Sequence, residues 1–152
     1  MEIVLYPDER LRKQCTKMAR GQLKILRSAT KNMYDFMLEH DGAGLAAPQV
    51  GISKQFFMIK RGLLPFGHTV AINPTWKPDG AEQVIVEEGC LSFPNLLLEV
   101  PRYSKILASY GDWRGRMYSV SLQGFAAQVF QHECDHLQGK LFVDKLSKFV
   151  SY

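Results

Sequence analysis

Gln131-His132-Glu133-Cys134-Asp135-His136-Leu137 decides how the rest of this 152-residue chain is read. Residues four apart on an α-helix share one face, so the imidazoles of His132 and His136 can converge on a single metal ion. Glu133 follows the first of them, where a carboxylate can handle a proton on a metal-bound water. Two of only four histidines stand at this spacing around a glutamate, an arrangement that chance placement on a helix seldom produces. Phe125, Val129, His132 and His136 recur at helical spacing, and Gly139 is a natural left-handed stop. A helix is therefore expected from about Phe125 to that glycine.

Two imidazoles leave a catalytic metal short, since such sites usually carry three protein ligands plus water. Sixteen residues follow His136, and Asp144 is their only acid, so no distant downstream glutamate is on offer. The longer three-histidine pattern through Gly139 would need its last histidine where Phe142 stands. The third ligand is expected upstream, among Cys15, His40, His68, Cys90, Cys134 and several carboxylates. Cys134 lies about 200° around the helix from His132 and points away. Cys15, His40 and His68 sit in segments with no other site-like feature. Cys90 lies in Glu87-Glu88-Gly89-Cys90-Leu91-Ser92-Phe93-Pro94, after the strand-like Val84-Ile85-Val86; Gly89 frees the backbone there and Pro94 ends any ladder. Alone, Cys90 reads as an ordinary buried thiol. Beside the paired histidines and without a downstream ligand, it becomes the favoured candidate.

Three segments then carry a specific likeness. Gly42-Ala43-Gly44-Leu45-Ala46-Ala47-Pro48-Gln49, Glu88-Gly89-Cys90-Leu91-Ser92 and residues 131–137 resemble the three motifs of peptide deformylases, in that family's order and at similar separations. Tyr6-Pro7-Asp8-Glu9-Arg10-Leu11-Arg12 resembles the family's opening, so the likeness covers nearly the whole chain. It implies hydrolysis of the N-terminal formyl group from N-formylmethionyl nascent peptides. It also implies one divalent metal ion on Cys90, His132 and His136, with Fe²⁺ in the active form; ligand softness alone equally admits Zn²⁺, Ni²⁺ or Co²⁺. Metal-bound water is then the nucleophile and Glu133 the general base and acid. The Gln49 side-chain amide and the Leu91 backbone N–H would hold the oxyanion.

Substrate contacts are expected from Gly42, Ala43, Gly44, Leu45, Glu88, Gly89 and Arg102, with Leu91, Phe125 and Val129 lining a pocket for the first side chain. Ala43 stands where the family usually has a larger aliphatic residue, and Gln128 and Val129 occupy the turn that resembles the pocket floor. The ending at Tyr152 is similar to short viral or divergent members that lack a C-terminal helix. A different metal amidase would keep the helix and Cys90 without formyl selectivity. A non-catalytic, ribosome-associated relic would show no metal-dependent turnover, and intact Gln49, Cys90, His132, Glu133 and His136 speak against it.

The glycine segment has a rival reading. Gly42-x-Gly44-x-x-Ala47 formally matches a dinucleotide fingerprint, which needs a strand before it and a helix after it. Here Leu23, Leu26, Met33 and Met37 predict a helix near 22–40 before it, and Phe56-Phe57-Met58-Ile59 a strand after it, so nucleotide binding is discarded. The glycines instead offer close approach of substrate backbone. Further strand-like runs fall around 69–72, 83–87, 96–100, 105–110 and 116–122, the last two flanking a hairpin loop at Gly111-Asp112-Trp113-Arg114-Gly115. Helices segregated from mostly antiparallel strands predict an α+β fold, and the resemblance adds that the sheets surround a central metal-binding helix.

Length fits a single catalytic domain over residues 1–152. Hydrophobic content of 46% and charged content of 22% are those of an ordinary soluble globular protein. No apolar run reaches membrane-spanning length and no signal or transit peptide is visible. Three cysteines without framework spacing suggest a reducing, cytoplasmic setting. Neither a membrane nor DNA is expected as a partner. The net charge of +4 is uneven: from Arg10 to Lys31 there are eight Lys or Arg and no acid. A solvated helix face is the plain reading of this run. The sharper one is transient contact with ribosomal RNA, where nascent chains emerge.

Overall fold

The computed structural model describes residues 1–146; the ending at Tyr152 lies outside them. Helix α1 (Arg20–Glu39) forms where Leu23, Leu26, Thr30, Met33 and Met37 share a face and no proline intervenes. It begins two residues before the expected position, where the Gln22 side chain accepts the Ala19 N–H at 2.9 Å. At its end Asp41 takes φ 55° and the Gly42 N–H donates to the Met37 carbonyl at 2.8 Å. That reversal sends the chain from the helix directly into the glycine segment.

The strands are β1 (Gly44–Ala46), β2 (Phe56–Ile59), β3 (Val70–Pro78), β4 (Gln83–Cys90), β5 (Phe93–Tyr103), β6 (Lys105–Gly111) and β7 (Met117–Gln123). β1-β2-β3-β6-β7 make an antiparallel sheet, and β4-β5 a separate antiparallel pair. β1 falls where a loop was expected, because three residues are too short to show alternation. It is an edge strand, so the side away from β2 is unpaired among the described residues. The expected hairpin loop joins β6 to β7, with Asp112 Oδ1 accepting the N–H groups of Arg114 (2.8 Å) and Arg116 (3.0 Å).

Helix α2 (Gly124–Leu137) lies between the two sheets, and residues 129–137 are all buried. Its Phe130 meets Phe57 of β2 edge-on at 5.2 Å, within a core that includes Ala71, Ile106 and Tyr110. On the opposite side Arg102 of β5 reaches Asp135. Phe142, just before the short α3 (Val143–Leu146), packs on both His132 and Phe93. The helix ends at Gly139, whose φ of 71° and contact with the Arg12 carbonyl leave no room for a Cβ. Nearby, the Cys15 N–H donates to the Leu137 carbonyl at 2.9 Å, so the N-terminal segment clamps the helix C-terminus. A helix buried on all sides yet carrying Gln131, His132, Glu133, Asp135 and His136 must satisfy those polar groups internally.

Candidate metal centre and active site

Two segments converge beside a cleft of about 880 Å³, which Cys90 and His132 line. α2 contributes His132 and His136, and the end of β4 contributes Cys90. Their ligand atoms all lie within 4.8 Å of one another, and Cys90 Sγ is 3.3 Å from His136 Nε2. Ligands of one tetrahedral ion stand roughly 3.5 Å apart at the usual bond lengths, so this donor set fits a metal. Cys90 is aimed at the helix by an irregularity in the β4-β5 ladder: Gly89 pairs with Leu97, but Cys90 pairs with Phe93. Cys134 turns instead into the core beside Phe130 and Leu137. Cys15, His40 and His68 are not part of the cluster.

A buried charge network orients the first histidine. His132 Nδ1 donates to Glu88 Oε2 at 2.7 Å, which leaves Nε2 as the atom available to a metal. Arg102 holds both Glu88 oxygens, with Nε at 2.6 Å and Nη2 at 2.9 Å, and its Nη1 donates to Asp135 at 2.6 Å. Burial alone would raise the Glu88 carboxyl, but hydrogen bonds from Arg102 and His132 bring it down from 4.5 to about 2. Burial likewise disfavours charged His132, yet its hydrogen bonds to Cys90 and Glu88 hold it well above the ordinary imidazole value. His136 is held well below that value by burial, with His132 and Arg102 adding repulsion. Metal ligation requires both rings neutral.

Glu133 sits apart from this network. It is buried, and its Oε2 has no hydrogen-bond partner among the described residues. Burial raises its carboxyl to about 7, with the charges of Glu88 and Asp135 adding to the rise. Gly44 of β1 makes room for it: a Cβ there would stand 2.5 Å from Glu133 Oε1 and 2.8 Å from its Cδ. Gln49, in a turn just after β1, accepts the Ala46 N–H at 2.9 Å and donates to Ser92 Oγ at 3.1 Å and to Cys90 Sγ at 3.5 Å. Ser92 in turn donates to the Val4 carbonyl at 2.8 Å. The side-chain amide of Gln49 is thereby locked against the sulfur.

Gly42, Ala43, Gly44, Gly89, Leu91, Phe125 and Val129 border the cleft, with Phe125 exposed and Val129 buried. Leu45 is fully buried in the core beneath β1 and reaches the cleft only through its backbone neighbours. Two further residues expected at the substrate are tied into the buried network. Arg102 is 3% exposed with its guanidinium bound to Glu88 and Asp135, so it supports the site from behind. Glu88 borders the cleft, with both oxygens engaged by Arg102 and His132. Asp135 and Ser92 were given no role from sequence, although a charged residue inside a buried helix already signals a buried partner.

Arg102→Met leaves two buried carboxylates uncompensated and is expected to destabilise the fold by about 3–5 kcal/mol. Because the Glu88 value is depressed, its contribution is present above its ordinary 4.5 and lost as pH falls toward about 2. Urea unfolding across pH should show this loss in the native protein, beginning at higher pH in Arg102→Met. Equal stability and an unchanged acid limb in the variant would show that the network does not hold the site.

The polypeptide deformylase family profile matches residues 1–151. The peptide deformylase of Thermotoga maritima is 40% identical over 145 residues, covering 95% of this chain and 86% of its own length. A crystal structure of peptide deformylase from Thermotoga maritima superposes with a TM-score of 0.87 at 39% identity, covering 95% of each chain. A Met-Ala-Ser-bound class I type b peptide deformylase of Acinetobacter baumannii superposes with a TM-score of 0.86 at 31% identity, covering 95% of this chain and 97% of that one. With likeness of this extent in both sequence and fold, the chain belongs to the polypeptide deformylase family.

Proposed function

We propose that this chain removes the N-formyl group from the formylmethionine of newly made polypeptides, using a divalent metal ion on Cys90, His132 and His136. The observation that carries this reading is the meeting of those three donors beside Glu133, whose Oε2 has no partner among the described residues, with Cys90, His132 and Glu133 lining an open cleft. Two nitrogens and one sulfur suit Fe²⁺, Zn²⁺, Ni²⁺ or Co²⁺, and Fe²⁺ is proposed for the active form. When bound, the ion supplies Lewis acidity that activates water and polarises the formyl carbonyl.

Glu133, raised to about 7, can exchange a proton near neutrality; it takes one from the attacking water and returns it to the leaving amine. As the formyl carbon becomes tetrahedral, the Gln49 amide N–H, held beside the sulfur, and the Leu91 backbone N–H stabilise its oxygen. The peptide lies extended along the unpaired edge of β1 and the segment after Cys90, bonding through backbone groups. Its first side chain enters between Leu91, Phe125 and Val129, beside Ala43. Among the described residues no helix is long and apolar enough to cross a membrane; the cytoplasm, where nascent chains are made, is the proposed compartment.

A transient electrostatic contact with the ribosome is proposed for the basic N-terminal region. Lys17, Arg20, Lys24 and Arg27 are exposed. The Arg20 guanidinium lies 3.5 Å from the Cβ position of Gly115, beside exposed Arg114 and Arg116. Two segments remote in sequence thus join into one cationic surface that suits a phosphate backbone.

Glu133→Gln should keep its metal and lose turnover of formyl-Met peptides by about 10²-fold or more; a metal-replete variant with near-native kcat would exclude the proton-transfer role. Gly44→Ala should fold normally but, by pushing the Glu133 carboxylate aside, lower kcat by about 10²-fold. A native kcat in that variant would show that the carboxylate position is not critical. For the cationic surface, co-sedimentation with ribosomes should weaken with salt and with Arg20→Glu and Lys24→Glu combined. Binding indifferent to both would remove this contact.

A further inference from the structure

We propose that Gln128 lets the first-residue pocket accept N-formylmethionine sulfoxide alongside N-formylmethionine; the inference rests on the deformylase reading above. Gln128 and Val129 lie four and three residues before His132 on α2, one helical turn of about 5.4 Å from the metal-binding imidazole. Phe125 lies one turn further back. A side chain that leaves the substrate next to its formyl group therefore runs along this stretch of helix. Most of its surroundings are apolar, with Val129, Phe125, Leu91 and Ala43 all bordering the cleft. Gln128 adds a side-chain amide to this stretch of helix.

The Gln128 amide is held in place: its Nε2 donates to the Glu87 carbonyl of β4 at 3.1 Å. A primary amide offers two N–H donors and a carbonyl with two lone pairs. Among the described residues a hydrogen bond is recorded for one of these N–H groups. The methionine thioether is a weak acceptor and makes little use of a donor. Its sulfoxide has an unbranched chain of the same length but carries a polar oxygen on a stereogenic sulfur. Buried against a wholly apolar wall, that oxygen would lose hydration without compensation; the second Gln128 N–H compensates it. Ala43 presents only a methyl group at the cleft border. Because the Glu87 bond fixes the amide, the site should favour one sulfoxide epimer.

The test compares formyl-Met-Ala-Ser with the two epimers of its methionine sulfoxide analogue, on one metal-loaded preparation each of native protein, Gln128→Met and Gln128→Leu. The native protein should process the better epimer with kcat/KM within about tenfold of the thioether, and both substitutions should lower the sulfoxide-to-thioether ratio by about tenfold, the scale of one hydrogen bond. The epimer preference should shrink with it. Calorimetric binding of the deformylated products, Met-Ala-Ser against its sulfoxide, should move in the same direction without depending on turnover. Native discrimination against both epimers by more than about 100-fold, or ratios unchanged in both variants, would overturn the inference. Absence of turnover of formyl-Met-Ala-Ser by metal-loaded native protein would remove the deformylase reading, and this inference with it.

Discussion

The guanidinium of Arg102 is the constraint on which the site depends. It reaches from β5 to Glu88 on β4 and to Asp135 on α2, with three contacts between 2.6 and 2.9 Å. Lys145 also approaches Asp135, at 3.6 Å. Apolar packing of Phe130 on Phe57 fixes how close α2 sits to the sheet, but it is tolerant of small rotations of the helix. The ion network is not, because a buried charge that loses its partner costs several kcal/mol. Rotating α2 would break the Asp135 contact and the Glu88–His132 bond together. One cation therefore sets the orientation of the helix, and with it the direction in which His132 presents Nε2.

The other half of the site is set from the N-terminal side. The Val4 N–H donates to the Gln49 carbonyl at 2.7 Å and the Tyr6 N–H to the Ser92 carbonyl at 3.0 Å. Ser92 Oγ then links Gln49 Nε2 to the Val4 carbonyl. The N-terminal segment thus stitches the turn carrying Gln49 to the segment just past Cys90, two segments that no strand pairing connects. A misplaced N-terminus would separate the amide from the sulfur while leaving both sheets intact.

The parts legible in the sequence are those whose signal is local. His132 and His136 announce themselves by spacing, and α1 by the period of Leu23, Leu26, Met33 and Met37. Cys90 required elimination together with the likeness of its motif, since nothing near it distinguishes a ligand from a buried thiol. β1 was hidden by its length. The place of Arg102 in the buried network was not legible because its partners lie 14 and 33 residues away, and ion pairing at that range leaves no periodic trace. Gly44 reads in sequence as a place where substrate backbone can approach, and the group that approaches it within the protein is the Glu133 side chain. A space kept free for a side chain looks the same in sequence as one kept for a ligand.

The distribution of satisfied and unsatisfied polar groups separates scaffold from chemistry. Gln131, buried on the same helix, uses its amide fully, bonding the N–H and carbonyl of Tyr103 and the carbonyl of Ala127. Both Glu88 oxygens are paired, and Asp135 Oδ2 meets Arg102 and Lys145. Two residues after Gln131, Glu133 is equally buried but has an oxygen without a partner, and its carboxyl rises to about 7. A scaffold residue in that position would be unfavourable, because an unsatisfied buried polar group typically costs about 1–3 kcal/mol. His136 Nδ1, on the same helix, is likewise without a partner among the described residues. The surrounding order makes the Glu133 oxygen tolerable: Arg102 neutralises the nearby carboxylates, and Gly44 leaves the carboxylate its space. Glu133 is destabilised where water and substrate arrive, so binding can supply the hydrogen bond that the folded chain withholds.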